Sequence, residues 1–273
     1  MPLPRQLLQI DFDQFHRYAA LTALVKPLLL HYQRRSPKPL RILEVGSHTL
    51  NLLPSFLAPI PVEVVRADIN PELKGELGPY LTIQPDQRFP LEDEAFDLVV
   101  AMEVLEHIPA EDRTFALGEW ARVASKGLFF SCPDGKRVRK LEARADADFQ
   151  ARHGHPHPWL VEHRQYGWPT RREVMNLCET VGITCHRFIN SPLAEWLPLL
   201  IATEHIFELG DTDLCKRFNE MLNLRPFRAF IQEPGYRTLY ACFKSEASFQ
   251  EASKVWQKPW KHTSIQLASS QDN

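Results

Sequence analysis

The stretch Arg41-Ile-Leu-Glu-Val-Gly46 is a short apolar run that ends on a glycine. A run of this length, closed by glycine, predicts a buried β-strand followed by a tight turn. Asp68 stands 22 positions after Gly46, directly after a second, β-branched run over residues 62–67. In a parallel sheet the two strands would present this glycine and this carboxylate at the same edge.

Five further runs predict strands, at residues 80–84, 96–102, 126–132, 183–189 and 236–243. Helical patterns separate them. Residues 15–32 predict an amphipathic helix that Pro27 kinks or shortens. Thr170 and Glu173 have the spacing of a capping box, and Gly182 follows as a helix stop. Strands that alternate with helices predict an α/β fold, with a doubly wound, mostly parallel sheet of seven strands.

Composition limits the class of protein. The chain has 273 residues, 44% of them hydrophobic, and a net charge of −2, which gives no electrostatic footprint for nucleic acid. Its five cysteines contain no CxxC pair, so we expect neither a disulfide framework nor structural zinc. No signal-peptide pattern and no membrane-length apolar run is present, which predicts a soluble, cytoplasmic protein without an integral membrane segment.

The chain predicts a single domain over residues 1–245 and a C-terminal extension over residues 246–273, whose polar end we expect to be disordered. Residues 136–168 and 191–235 interrupt the alternation of strands and helices. Both segments follow strand ends, so we expect them to form helical lids over the site and to determine substrate choice.

Ligands of open α/β sheets bind outside the carboxyl ends of the strands. The first strand ends at Gly46, whose missing side chain allows close approach of a ligand. Asp68, after the second strand, can accept hydrogen bonds from both hydroxyls of a ribose. Asp86, after the third, can accept one from an adenine amino group. His107 follows the fourth strand, on the side expected to face a second substrate.

The segments ILEVG, ADIN, FPLEDEAFDLVVAMEVLEHIP and ARVASKGLFFSCPDG resemble the successive motifs of class I S-adenosylmethionine-dependent methyltransferases of type 11. The resemblance covers about residues 40–135. It implies a Rossmann-like fold, S-adenosylmethionine as cofactor, and in-line methyl transfer to oxygen or nitrogen of a small-molecule or glycan-precursor acceptor. HPHPWLVEHRQYGWPTRREV, FNEML and EPGYRTLYACF are similar to a bacterial subfamily of unknown substrate that resembles methyltransferases associated with surface glycans.

The resemblance also implies roles for single residues. Gly46 and Ser47 would line the methionine portion, Asp68 the ribose, Asp86 and Gln87 the adenine, and Met102 would offer its backbone. Arg17 would pair with the cofactor carboxylate. The complete set expected around the cofactor is Arg17, Glu44, Gly46, Ser47, His48, Asp68, Ile69, Asp86, Gln87 and Met102.

The glycine-rich loop departs from the family pattern. Where the family has GxGxG, this chain has Gly46-Ser-His48-Thr-Leu50, so His48 and Leu50 must point away from the methionine pocket or narrow it. The departure counts against a dinucleotide-dependent oxidoreductase, whose pyrophosphate needs those glycines. It also motivates an alternative function, a catalytically inactive member of the fold that binds cofactor or a protein partner as a regulator.

The candidate catalytic residues are His107, His163 and Tyr166. Histidine titrates in the range needed for a general base. His153, His155 and His157 alternate in an extended segment, so together with His163 they could converge on a metal or instead contact substrate. We expect no metal and an activity that is insensitive to chelators.

Overall fold

The computed structural model describes residues 4–35, 38–47, 51–73, 78–133, 135–225 and 234–257. They contain one seven-stranded sheet with the order β3-β2-β1-β4-β5-β7-β6. The strands are β1 (Leu40–Val45), β2 (Val62–Asp68), β3 (Tyr80–Thr82), β4 (Phe96–Met102), β5 (Ala124–Pro133), β6 (Thr184–Pro192) and β7 (Gly235–Phe243).

The strand pairs confirm the predicted mostly parallel sheet. β1 pairs in parallel with β2 and β4, β2 with β3, and β4 with β5. The exception is β7, which enters between β5 and β6 and is antiparallel to both. The start of β7 therefore lies at the same edge as the carboxyl ends of the other strands.

Helices cover both faces of this sheet. They are α1 (Arg5–Leu8), α2 (Phe12–Gln33), α3 (Leu52–Leu57), α4 (Arg113–Val123), α5 (Gly135–His153), α6 (Pro158–Tyr166), α7 (Arg171–Thr180), α8 (Leu193–Glu208), α9 (Thr212–Asn223) and α10 (Glu246–Gln257). α2, α3 and α10 contribute to one apolar core, which includes Leu21, Phe56 and Trp256. α4 and α7 contribute to the core on the opposite face, which includes Trp120 and Val174.

Local sequence signals set several helix ends. Thr170 and Glu173 form the predicted capping box, in which each side chain accepts from the other residue's backbone N–H. Gly182 follows α7 with φ +73°. The prediction that Pro27 shortens α2 is wrong, because the helix continues to Gln33. Proline removes one hydrogen bond of the helix, and the buried side chains on both sides of it, Val25 and Leu28, hold the segment against the core.

The two predicted insertions leave from the carboxyl edge. α5 and α6 follow the end of β5, and α8 and α9 follow the end of β6 before the chain returns at Gly235, which pairs with Pro192. We call these four helices the cap layer. Its apolar core contains Val138, Leu193, Trp196 and Leu222. That the cap layer encloses an acceptor remains a prediction, and residues 226–233 lie outside the described part.

The cysteines do not follow the sequence expectation. The antiparallel register places Cys185 directly opposite Cys242, with Cα atoms 4.0 Å apart, and the two form a disulfide. The expectation of no disulfide framework did not foresee this pair, because β7 runs antiparallel to β6, a pairing that cysteine spacing alone does not show. The Cys178 Sγ lies 3.3 Å from the Cys185 Sγ.

The predicted C-terminal extension begins with α10, whose residues Ala252 and Trp256 are buried in the core beside α2. Its predicted disordered end, from residue 258 onwards, lies outside the described residues. None of the helices in the described part of the chain has the length and apolarity that a membrane crossing requires.

Candidate active site

Gly46 turns the chain directly after β1. Its φ is +68°, and a Cβ at this position would lie 2.3 Å from the Val104 Cγ2. The Gly46 N–H donates to the Ala67 carbonyl at 2.8 Å, which joins the ends of β1 and β2. The residue is nevertheless exposed. Glycine is needed here because Val104 occupies the place of a Cβ, and a ligand at the edge of the sheet can approach the exposed backbone, which we call the cradle.

We expect Gly46→Ala to lower the free energy of unfolding by about 2 kcal/mol from backbone strain alone, with a further loss from the clash with Val104. Gly182→Ala is the matched control, because Gly182 has a similar φ but open space around the added Cβ. Chemical denaturation should show the larger loss at Gly46, partly recovered when Val104→Ala is added. Equal losses at the two glycines would contradict the close approach.

Ser47 follows the cradle. Its side chain is buried, and its Oγ has no hydrogen-bond partner among the described residues. A buried hydroxyl without a partner costs free energy unless a ligand or a water satisfies it. His48 and Leu50 lie outside the described residues.

Asp68 lies at the end of β2, beside the cradle. Its carboxylate is partly buried and accepts from the Asn70 N–H at 3.0 Å, and burial raises the pKa of Asp68. The next side chain, Ile69, is 59% exposed although it is large and apolar. Asp86 and Gln87 are exposed in the loop after β3. The last residue of β3, Thr82, pairs with Asp68. Four predicted cofactor residues are thus brought to neighbouring strand ends.

Two other predicted cofactor residues make contacts with the protein itself. Glu44 is buried and its Oε1 accepts from the Tyr18 hydroxyl at 2.6 Å, while burial raises the pKa of Glu44 to about 7. Arg17, on α2, forms an ion pair with Asp13 at 2.5 Å. The Met102 side chain at the end of β4 is packed in the core, so only its backbone is available to a ligand.

The candidate catalytic histidines meet above β4. His107 lies in a 3-10 turn after the strand, and its Nε2 is 3.3 Å from the His163 Nε2 on α6. The His107 Nδ1 is 2.7 Å from a carboxylate oxygen of Glu162, and the His163 Nδ1 is 3.0 Å from one of Glu142. Burial and then the neighbouring His163 lower the pKa of His107, against the opposing effect of Glu162.

A single arginine fixes this pair. The Arg113 Nε donates to the Leu105 and Ile108 carbonyls of the 3-10 turn, at 3.1 and 3.0 Å. Its Nη2 donates to the Tyr166 carbonyl at 3.0 Å and to the Gly167 carbonyl at the end of α6. Tyr166, the third candidate, is therefore held near the histidines through its backbone.

Three buried carboxylates surround the pair, and sequence reasoning missed them. Glu106 is fully buried and neither of its oxygens has a hydrogen-bond partner among the described residues. Burial, and then the charge of Glu103, raise the pKa of Glu106 well above its usual range. Glu103 accepts from the Ser131 hydroxyl at 2.7 Å. Glu142 accepts from the Trp168 indole at 2.6 Å and from the Tyr236 hydroxyl at 2.7 Å, besides its contact with His163.

One signal for Glu142 was present in the sequence. Val138, Glu142 and Ala145 are spaced by four and three residues on α5, and all three are buried. This spacing defines one helix face. The many charges of α5 obscured it.

The loop histidines take a different arrangement. The rings of His153, His155 and His157 surround the Phe149 ring, with centroid distances of 4.1, 5.6 and 4.7 Å. His153 also contacts Glu208 on α8. His163 does not join them. It faces His107 instead.

Comparison with known proteins agrees with this fold. Residues 43–132, about a third of the chain, match the methyltransferase domain family. No curated protein is significantly similar in sequence. Among solved structures, the carbon methyltransferase CurJ is similar with a TM-score of 0.51 at 13% identity, over 89% of this chain and 57% of that one.

Two further structures are similar at lower TM-scores. An S-adenosylmethionine-dependent methyltransferase from Thermotoga maritima matches with a TM-score of 0.46 at 14% identity, over 89% of this chain and 100% of that one. Magnesium protoporphyrin IX methyltransferase from Synechocystis PCC 6803, solved with bound S-adenosylhomocysteine, matches with 0.46 at 12% identity, over 88% and 92%.

Residues 43–132 therefore form a methyltransferase domain, and the seven-stranded sheet has the Rossmann-like fold of class I methyltransferases. The cofactor is S-adenosylmethionine, as the motifs after β1, β2 and β4 predicted. The residues present fit that cofactor: the Gly46 backbone is exposed, Ser47 offers a buried hydroxyl without a partner among the described residues, and Asp68 offers a carboxylate next to the exposed apolar side chain of Ile69.

Proposed function

We propose that the chain transfers the methyl group of S-adenosylmethionine to a small-molecule or glycan-precursor acceptor at the carboxyl edge of the sheet. The observation that carries the proposal is the alignment of strand ends. Val45 pairs with Ala67 on one side and with Ala101 on the other. The cradle at Gly46, the carboxylate of Asp68 and the turn after β4 therefore adjoin one another.

In this proposal Gly46 and Ser47 bind the methionine portion, together with His48. Asp68 accepts hydrogen bonds from the ribose hydroxyls, and Ile69 packs on the adenine. Asp86 and Gln87 bind the adenine edge, and Met102 contributes its backbone. The pairing of β1 with β2 and of β2 with β3 supports this order of contacts along the edge.

Arg17 and Glu44 would lie on the side of the cofactor that faces α2. Arg17 is the candidate partner of the cofactor carboxylate, although it already pairs with Asp13. Glu44 acts as a positioning residue, because its hydrogen bond with Tyr18 ties α2 to the end of β1.

The cofactor supplies an electrophilic methyl group on a sulfonium. The chain's residues then have to align an acceptor in line with it and exclude water, an arrangement that lowers reaction barriers by roughly 7–11 kcal/mol. His107 follows β4, and His163 and Tyr166 lie on α6 beside it, so these residues are proposed to contact the acceptor. O- or N-methylation is possible at such a site.

Ion pairs join two helices of the cap layer. α5 and α8 are tied together by Arg152, whose Nη2 pairs with Glu204 at 2.7 Å and which also pairs with Glu208. A nearly neutral chain offers no general attraction for nucleic acid. We therefore propose no nucleic-acid partner and keep a small molecule or a glycan precursor, in a bacterial cytoplasm, as the acceptor class.

Asp68→Ala tests the cofactor assignment. We expect S-adenosylmethionine binding to weaken by about 1.5–3 kcal/mol, the scale of hydrogen bonds to a charged group, with the fold unchanged. Isothermal titration calorimetry measures the dissociation constant. Glu63→Ala is the matched control, because it removes an exposed carboxylate elsewhere on β2. An unchanged dissociation constant for Asp68→Ala would remove this residue from the site.

A further inference from the structure

The two histidines at the end of β4 are oriented like ligands of one ion. Each Nδ1 faces a carboxylate oxygen, of Glu162 for His107 and of Glu142 for His163. An ionised carboxylate only accepts, so both Nδ1 atoms carry hydrogen, and in neutral imidazole each Nε2 then presents a lone pair. With both carboxylates ionised and both imidazoles neutral, the two Nε2 lone pairs face each other across 3.3 Å.

The separation of the two nitrogens is informative. Metal–nitrogen bonds of about 2.0–2.1 Å at a tetrahedral angle place the two nitrogens about 3.3 Å apart. The His107 and His163 Nε2 atoms have this separation. Carboxylates on the distal nitrogens are also the usual outer contacts of histidine ligands, since they fix the tautomer and the ring orientation.

Glu106 supplies the second, independent observation. It is fully buried, and both oxygens are without a hydrogen-bond partner among the described residues. Ligand atoms of Glu106, His107 and His163 all lie within 4.8 Å of one another. The side chain of Glu103, whose charge acts on Glu106, is also largely buried. A buried carboxylate without a donor is costly, and a bound cation would satisfy it.

We propose that Glu106, His107 and His163 bind a divalent transition-metal ion. Two imidazoles and one carboxylate suit Zn²⁺, Mn²⁺ or Fe²⁺. Three protein ligands leave coordination positions open, as in catalytic rather than structural sites. The site has a solvent-facing side, because the His107 side chain is 28% exposed and that of Glu162 is 48% exposed. This inference replaces the expectation from sequence that no metal is bound.

The consequence for the reaction rests on the proposed function. An ion at this position would bind a hydroxyl oxygen of the acceptor and lower its pKa, so that the proton is lost to water. The oxygen lone pair then attacks the methyl carbon. An O–C bond forms as the S–C bond breaks, and the bonding pair remains on sulfur. The acceptor class thereby narrows to hydroxyl compounds.

Titration of the chelator-stripped protein with Co²⁺ tests the site. We expect one equivalent to bind, with visible absorption bands typical of nitrogen and oxygen ligands. An intense sulfur charge-transfer band should be absent, which would exclude binding at Cys178 beside the Cys185–Cys242 disulfide. His163→Asn and Glu106→Gln should each weaken binding at least tenfold. His155→Asn, which changes an exposed loop histidine, should leave the titration unchanged.

Glu162→Gln is the variant least able to disturb folding, because this side chain is about half exposed. It should weaken Co²⁺ binding about 10–100-fold, the usual effect of removing the outer partner of a histidine ligand. No saturable Co²⁺ binding, or binding that His163→Asn and Glu162→Gln leave unchanged, would overturn the metal site and leave the two rings sharing a proton.

Calorimetry with S-adenosylmethionine on the same samples separates the two proposals. Cofactor binding without Co²⁺ binding would remove only the metal site. If the wild-type protein does not bind S-adenosylmethionine, the proposed function itself is contradicted.

Discussion

Replacing Asp13 with alanine is expected to destabilise the fold by about 3–5 kcal/mol, the scale of a broken buried ion pair. The Asp13 carboxylate accepts from the Arg17 guanidinium, from the Trp196 indole at 3.0 Å and from Arg237. The Arg237 side chain is completely buried. Among the described residues, removing the carboxylate leaves that guanidinium with Glu103, 3.3 Å from its Nε, as its one charged partner. Denaturation in urea measures the loss.

The same pair predicts a pH dependence. Burial alone would raise the pKa of Asp13, but the charges of Arg237 and Arg17 outweigh burial and hold the pKa well below its usual range. A lowered folded-state pKa contributes stability above the unfolded-state pKa of about 4, and the contribution is lost as the pH falls below it. The difference in unfolding free energy between wild type and Asp13→Asn should therefore stay constant above about pH 5 and shrink as the pH falls from about 5 toward 2.

Arg88→Ala is the control, because it removes one partner of an exposed ion pair with Asp93 and should change stability little. A loss at Asp13→Ala no larger than that control would show that the buried network does not join α2 to β7 and α8.

Replacing His107 with alanine is expected to lower turnover by roughly a hundredfold or more while the affinity for S-adenosylmethionine changes little. His107 lies in the turn after β4, and its ring contacts Glu162 and His163 rather than the cradle at Gly46. The loss is expected whether the imidazole binds an ion or accepts a proton. Transfer of labelled methyl groups to nucleotide sugars and lipid-linked glycan precursors identifies the acceptor and then measures turnover.

Calorimetry gives the second measurement on the same variant. His155→Ala, in the loop beside Phe149, is the control and should keep wild-type turnover. Turnover that survives in His107→Ala, or a cofactor affinity that falls in parallel with turnover, would contradict the placement of His107 at the acceptor.

Sequence predicted most of the sheet because its central strands are simple patterns. The runs ending at Val45 and Met102 are buried on both faces, so nearly every residue is apolar. Gly46 and Asp68 could be predicted as candidate site residues, because a glycine at a turn and a carboxylate at a strand end are local features of the sequence. The weakest strand, β3, has only three residues, where five were expected.

The positions of the buried carboxylates beside the two histidines could be seen only in the structure. Glu106 lies in a 3-10 turn, where neighbouring residues point in directions that no regular period predicts. Glu142 reaches His163 only because α5 folds back over the sheet edge. The disulfide depends on the register of β6 and β7, which are more than forty residues apart in the chain. Contacts between distant segments leave no mark on local spacing.

A crystal structure of the protein with S-adenosylhomocysteine tests the central claim most directly. The account predicts that the ligand binds across the ends of β1 and β2. Its ribose hydroxyls should lie within hydrogen-bond distance of the Asp68 carboxylate, and its sulfur should point to the end of β4, toward His107. A ligand bound elsewhere, or one that leaves Gly46 and Asp68 without contact, would contradict it.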